Sequence, residues 1–326
     1  RIMQSNEQIL SAIENYLAQA DFPAEPELLY APIGYSLAGG GKRLRPMLLM
    51  LAYGTFADDL KQALPAAAAV EVFHNFTLLH DDIMDNAAVR RGKPSVYAKW
   101  GRNVAILSGD AMLIYAYRLL STVPAELLPQ VLTTFNNMAL EVCEGQQYDM
   151  DFEQKPKVSV VEYMHMIELK TSVLLAGAVV IGAMLGGASD EDCRKLRRFA
   201  VELGLAFQLQ DDWLDTYGDP EVFGKNIGGD IMNDKKTFLL IHAFELASPE
   251  QKAVLNDWIG KTTFVAAEKI EAVTAIYNEL HLKDITIAKM QGYYDKAMEH
   301  LSRLNVAPEK LNILKEVSNR LMYRQS

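Results

Sequence analysis

The residues best suited to chemistry in this sequence are two groups of aspartates. Asp81-Asp82-Ile83-Met84-Asp85 closes an apolar run that begins at Ala66, and Asp211-Asp212-Trp213-Leu214-Asp215 repeats the spacing after the run Val201 to Leu209. On a helix, residues four apart stand one turn above one another, so Asp81 and Asp85 share a face about 6 Å apart along the axis. Two carboxylates held so close repel unless a cation or a proton separates them. A single cluster of this kind is commonly solvated surface. Two of them, each ending a hydrophobic helix, read as a metal site. A few carboxylate oxygens, with room left for water and phosphate oxygens, suit Mg²⁺ better than Zn²⁺ or Ca²⁺. The sequence has no His/Cys cluster of zinc-binding spacing.

Cations recur beside these acids. Gly39-Gly40-Gly41-Lys42-Arg43-Leu44-Arg45-Pro46 reads as a flexible turn, then clustered charge, then a proline suited to a first helical turn. Lys and Arg bind phosphate oxygens, although the spacing is not that of a Walker A loop. Arg90-Arg91-Gly92-Lys93 lies just past the first aspartate group, Lys170-Thr171 sits within a long helical stretch, and Lys225 and Lys235-Lys236 follow the second group. Singly, each pair reads as solvated charge; their recurrence beside the acidic groups points to anion binding. His74 precedes Asp81 by seven residues, about 20° from it around an ideal helix, so it shares the carboxylate face. Gln208 precedes Asp211 by one turn and points with it.

The elements that must position these residues are helical throughout. Leu10, Ile13, Tyr16 and Leu17 form one amphipathic stripe, and Met47 to Tyr53, Ala66 to Leu79 and Asn103 to Leu120 read as further helices. No stretch alternates in the manner of a strand. The breaks are short, among them Gly39 to Gly41, Ala88 to Pro94 and Gly218 to Gly229, and none has the length or composition of a linker. The expectation is an all-α protein, a single large helical bundle over residues 1–326 with a central cavity built from facing helices. Val173 to Ala188 is the longest apolar run; it is short for a membrane span, and Gly182 and Gly186 suit a packed core helix.

Bulk composition narrows the function classes. Half of the residues are hydrophobic and 23% are charged, which is ordinary globular composition. The net charge of −10 argues against nucleic acid as a partner, because phosphate binding normally needs a basic face. An acidic protein that binds anions must use divalent metal to bridge some of its carboxylates to them. Cys143 and Cys193 have no metal-ligand spacing and read as free thiols in a reducing compartment. The polar opening, with no apolar segment after it, leads to an expected cytoplasmic location.

Taken together, these segments resemble the trans-type isoprenyl diphosphate synthases of the polyprenyl synthetase family. The matching stretches are Gly40 to Pro46; Leu79-His80-Asp81-Asp82-Ile83-Met84-Asp85 on to Arg90-Arg91-Gly92; Lys170-Thr171; Phe207-Gln208-Leu209-Gln210-Asp211 to Asp215; and Gly224-Lys225 through Asp230 to Lys235. They run in order over about two thirds of the chain, and jointly are far more specific than any one of them. The resemblance implies an all-α homodimer that joins isopentenyl diphosphate head-to-tail to an allylic diphosphate. By position, Asp81, Asp85 and Asp211 would bind Mg²⁺, with Asp82 and Asp215 in support. Arg90, Lys170, Lys225 and Lys235 would hold the allylic diphosphate. Gly41, Lys42, Arg45, His74 and Arg91 would hold isopentenyl diphosphate, and Thr171 and Gln208 would lie by the reacting carbons. Ser172 and Lys236 depart slightly from the family pattern; Lys236 either contacts phosphate or faces solvent.

Product length is expected to depend on the helix leading into Asp81. Phe76 and Phe73 stand about 7.5 and 12 Å back along it, flanking the aspartate face, while Thr77 points more nearly along it. Bulky rings there either floor the product pocket or pack the core. The Phe76-Thr77-Leu78 approach is similar to that of archaeal geranylgeranyl synthases, which implies a C15–C20 product, leaning to C20. A terpene cyclase and a non-catalytic subunit of a heteromeric synthase are the rival readings. The second aspartate group and the second cationic set disfavour the first rival; retention of both acidic motifs disfavours the other.

Overall fold

The computed structural model describes residues 5–223 and 227–323. Its helices are α1 (Asn6–Ala18), α2 (Glu27–Ala38), α3 (Leu44–Phe56), α4 (Leu64–Met84), α5 (Val96–Trp100), α6 (Arg102–Leu120), α7 (Leu128–Gln154), α8 (Val160–Ile167) and α9 (Val173–Leu185). They continue as α10 (Asp190–Tyr217), α11 (Pro220–Phe223), α12 (Gly229–Met232), α13 (Phe238–Leu246), α14 (Pro249–Trp258), α15 (Ala266–Glu279), α16 (Leu282–Ser302) and α17 (Pro308–Met322). The expected all-α class is observed. Among the described residues the strands are β1 (Val89–Arg90) and β2 (Lys93–Pro94), a small antiparallel hairpin within the break expected at Ala88 to Pro94.

Contacts divide the chain into two compact units. One comprises Arg1–Met138, Leu175–Arg197 and Asn305–Leu314; the other comprises Ala139–Leu174, Arg198–Leu304 and Lys315–Ser326. Both are assembled from separated segments, which is why no linker marks them in the sequence.

In the first unit, α4 packs along α6 and against α3. It can do so because its N-terminal half, from Ala66 through Phe73, is buried on nearly every side and rich in alanine, which keeps neighbouring axes close. Pro65 lies at the start of α4, where a missing N–H costs no hydrogen bond. The helix then runs unbroken into the first aspartate group and ends with Asp85 as its C-cap.

In the second unit, Leu239, Leu240, Leu255, Val273, Ile276 and Leu282 form part of an apolar core to which α12, α13, α14, α15 and the start of α16 contribute. Its helix starts are legible in the sequence. Ser159 and Glu162 form a capping box at α8, Ser248 and Gln251 form another at α14, and Thr237 caps α13 by accepting from the Leu240 N–H. The helical stretch Val160–Leu185 has the length and apolarity of a membrane span, yet 83% of its most apolar window is buried inside the molecule, as befits a core helix.

Candidate active site

In the first unit the basic motif is built on a constrained turn. Arg43 adopts a left-handed conformation (φ 54°) and is buried. Its guanidinium bridges three elements, bonding Glu14 Oε1 of α1 at 2.8 Å, Glu71 Oε1 of α4 at 3.0 Å and the Leu37 carbonyl. Burying a guanidinium requires this full set of partners. The result fixes the stretch on which Lys42 and Arg45 stand. Pro46 lies in the first turn of α3, as expected.

Arg91 joins the same group from the hairpin, again with a left-handed backbone (φ 52°). Its guanidinium lies against Gly41, where a Cβ would come within 2.7 Å of Nη2, and Nη1 bonds Asn75 Oδ1 at 3.4 Å. Asn75 in turn donates to Glu71 Oε1 at 2.9 Å. Burial holds the Arg91 pKa below its ordinary value, with Glu71 opposing and Arg43 and Arg90 reinforcing that direction. His74 is affected more strongly. Burial, then the charges of Arg45, Arg91, Arg90 and Arg43, hold it well below 6.5, so it is neutral. Guanidiniums gathered around a neutral imidazole in this way disfavour its protonation, a penalty that a bound anion would relieve.

The first aspartate group divides by direction. Asp82 is 3% exposed and receives Arg90 in a bidentate pair, Nη2 to Oδ1 at 2.5 Å and Nε to Oδ2 at 3.2 Å. Its role is to hold an arginine. Asp81 is partly buried and Asp85 exposed, one turn apart at the helix end. Phe73 is a core residue, 1% exposed, with ring centroids 5.6 Å from Phe76 and 5.2 Å from Phe135. Phe76 and Thr77 are only partly buried, and the Thr77 hydroxyl donates to the His74 carbonyl at 2.6 Å.

In the second unit, Lys170 and Thr171 lie in a five-residue π-helical turn, Glu168–Ser172, between α8 and α9, where a regular helix was expected. Two glycines explain how it packs. A methyl group at Gly145 of α7 would collide with the Lys170 backbone, and one at Gly204 of α10 would stand 2.9 Å from Ser172 Cα. Ser172 is fully buried there, so only a small side chain fits. The turn projects Lys170, whose Nζ donates to Asp149 Oδ2 of α7 at 2.6 Å.

The second aspartate group repeats the division of labour. Asp212 is buried and accepts from the Tyr163 hydroxyl, from Gln208 Nε2 at 3.2 Å and from the Phe238 N–H at 3.0 Å. Burial pushes its pKa up, while Lys235, the Phe238 N–H, Tyr163 and Gln208 oppose the shift. Tyr163 is pushed far above its usual range by burial and then by Asp212, so it remains a donor. Because a carboxylate can only accept, the Gln208 NH₂ must face it, which leaves the amide oxygen directed elsewhere. Asp215 Oδ2 accepts the Asp230 N–H at 2.8 Å and the Asp215 carbonyl accepts the Gly228 N–H at 2.7 Å, organising the turn into α12. Asp211 is partly exposed on the same helix.

Partial desolvation alone would lower the Lys235 pKa, but Asp230, Asp212, Asp149 and Asp215 together hold it above its ordinary value. Lys236 meets neither sequence expectation: its Nζ donates to the Phe152 carbonyl and, at 2.6 Å, to the Lys155 carbonyl, closing the C-terminal end of α7. Lys225 lies outside the described residues.

Among the described residues, no three acidic, His or Cys groups converge on one point where they could hold a metal by themselves. Sequence reasoning found the exposed members of the aspartate groups. It missed Asp149, Tyr163, Glu71 and Asn75, which carry no local pattern. The inward turn of Asp82 and Asp212 was calculable, since adjacent helical residues point about 100° apart.

The family model described as polyprenyl synthetase matches residues 26–280. Geranylgeranyl diphosphate synthase from Methanosarcina mazei is 42% identical over 303 residues, covering 92% of this chain and 91% of the relative. Geranylfarnesyl diphosphate synthase from Natronomonas pharaonis is 34% identical, covering 96% of this chain and 95% of the relative. The crystal structure of geranylgeranyl pyrophosphate synthase from Corynebacterium glutamicum, complexed with isoprenyl diphosphate and magnesium, superposes with a TM-score of 0.87 at 27% identity, covering 98% of this chain and all of that one.

Proposed function

This chain belongs to the polyprenyl synthetase family, and from that premise we propose that it condenses isopentenyl diphosphate with an allylic diphosphate (dimethylallyl, geranyl or farnesyl) in a Mg²⁺-dependent reaction. The product is an all-trans prenyl diphosphate of C15–C20, with C20 favoured by the naming of the Methanosarcina relative. The allylic C–O bond breaks, releasing diphosphate; the double bond of isopentenyl diphosphate supplies the electrons of the new C–C bond; and a proton is lost from the adjacent carbon. The observation that carries this reading is the cation group around neutral His74, on the same helix as the paired carboxylates Asp81 and Asp85.

Asp81, Asp85 and Asp211 would hold Mg²⁺, which would supply charge neutralisation for the departing diphosphate. Asp82 supports the site by fixing Arg90, and Asp215 supports it by fixing the turn before Asp230. Arg90, Lys170, Lys235 and Lys225 bind the allylic diphosphate. Lys42, Arg45, His74 and Arg91 bind isopentenyl diphosphate, with Gly41 leaving space for the Arg91 guanidinium. The Gln208 amide oxygen and Thr171 hydroxyl offer dipoles to positive charge on the reacting carbons. Kinetics of Arg91→Ala test the assignment. The KM for isopentenyl diphosphate should rise about tenfold or more, the loss of one charge-assisted contact, while the allylic KM stays unchanged. A rise confined to the allylic KM would contradict it.

A homodimer accords with α6, on which Ile106, Leu107 and Ile114 are large apolar side chains left exposed.

A further inference from the structure

Lys269 lies in the first turn of α15 with its side chain 1% exposed. A buried ammonium is costly unless fully paired, so its position calls for a function. Its Nζ donates to Asp234 Oδ1 at 2.6 Å and sits 4.4 Å from the centroid of the Phe264 ring. The second oxygen of Asp234 accepts the Gly260 N–H at 3.0 Å. Asp234 itself has φ 54°, a left-handed conformation that favours glycine and, among residues with side chains, asparagine and aspartate.

The residue that follows is Lys235. Its backbone N–H bonds the Asp230 carbonyl at 2.9 Å, the Asp234 N–H bonds the Ile231 carbonyl at 3.2 Å, and the Thr237 N–H returns to the Lys235 carbonyl at 2.9 Å. The turn is therefore anchored on both sides of Lys235, by Lys269 and Gly260 at Asp234 and by Asp212 at the Phe238 N–H. The Lys235 side chain is 59% exposed, and its Nζ stands 4.0 Å from Asp230 Oδ1. A long side chain held this loosely takes its direction from the backbone it leaves.

We propose that Lys269 and Asp234 are positioning residues for substrate binding: the buried pair fixes the left-handed backbone at Asp234 and thereby aims Lys235 at the allylic diphosphate. This rests on the reading of Lys235 as a diphosphate contact. Neither residue touches substrate. The pair acts through Lys235 alone, so its loss affects one substrate and not the other.

The test is steady-state kinetics on the full chain. In the double variant D234N/K269M both charges are removed together, so no buried charge is left unpaired, and asparagine tolerates the left-handed backbone. The expected result is a folded protein whose allylic KM is raised about tenfold, the scale of one misplaced charge-assisted bond, with the KM for isopentenyl diphosphate within about twofold of the parent. Lys235→Ala in the parent should raise the allylic KM similarly, and added to the pair variant should change it by less than about twofold. An unchanged allylic KM in the pair variant, with only a lowered Tm, would overturn the proposal and leave a structural pair. An undiminished effect of Lys235→Ala in that background would also overturn it. If Lys235→Ala leaves the parent's allylic KM unchanged, the assignment of Lys235 is the failure, and the positioning role falls with it. Should the double variant not fold, Asp234→Asn alone decides: an allylic KM raised about threefold with the same non-additivity supports the pair, and an unchanged KM overturns it.

Discussion

Asp82 and Asp212 are buried while Asp81, Asp85 and Asp211 reach the surface at least in part, so each aspartate group combines a buried anchor with solvent-facing carboxylates. For the second anchor, Tyr163→Phe removes a donor to a buried carboxylate and should cost roughly 1–3 kcal/mol in urea unfolding; no loss would show that Asp212 is satisfied without it. His74 gives a pH signature. Its folded pKa is lowered, so as pH falls through 6.5 the unfolded chain takes up a proton that the folded chain refuses, and its effect is to reduce stability below that pH. A bound diphosphate supplies the missing negative charge and should raise the His74 pKa. Calorimetric titration with isopentenyl diphosphate below pH 6.5, in two buffers of different ionisation enthalpy, should therefore show proton uptake that His74→Gln lacks. Equal uptake in parent and variant would remove His74 from the site. The open aspartates were legible in the sequence because i, i+4 spacing is a geometric statement; Asp149 was not, because only the fold brings it to Lys170.

The π-helical turn shows where local pattern gives out. Lys170 and Thr171 read as ordinary helix, since the apolar periodicity continues across them from α8 into α9. What departs from the α-helix is packing, with the turn pressed between Gly145 and Gly204. Gly145→Ala should displace the Lys170 backbone, cost roughly 1–3 kcal/mol of stability and raise the allylic KM. Wild-type kinetics from this variant would show that the turn does not set Lys170. On α4, the partial burial of Phe76 and the full burial of Phe73 divide two residues that sequence spacing treated alike. Phe76→Ala should therefore lengthen the product, read by chain-length analysis, whereas an unchanged product from an active variant would return Phe76 to the core.

At the scale of the whole molecule, a net charge of −10 is a poor starting point for binding two diphosphates. Arg43, Arg45, Arg90 and Arg91 are gathered locally around His74, and in the proposed function these cations and Mg²⁺ together offset that charge. The helical class was readable from end to end, and the order of the motifs over about two thirds of the chain. The division into two units was not, because each is stitched from distant segments and leaves no compositional seam. Sedimentation of Ile114→Glu tests the proposed α6 interface: the parent should run as a dimer and the variant as a monomer, and two identical profiles would place the contact elsewhere.

The central claim is tested most directly by incubating the purified protein with labelled isopentenyl diphosphate, Mg²⁺ and each allylic primer in turn, and resolving the products by chain length. We expect elongated prenyl diphosphates, chiefly C20, abolished by EDTA and reduced at least about a hundredfold by Asp81→Ala or Asp211→Ala. A folded protein that elongates no primer, or whose elongation survives both EDTA and the aspartate substitutions, would contradict the account.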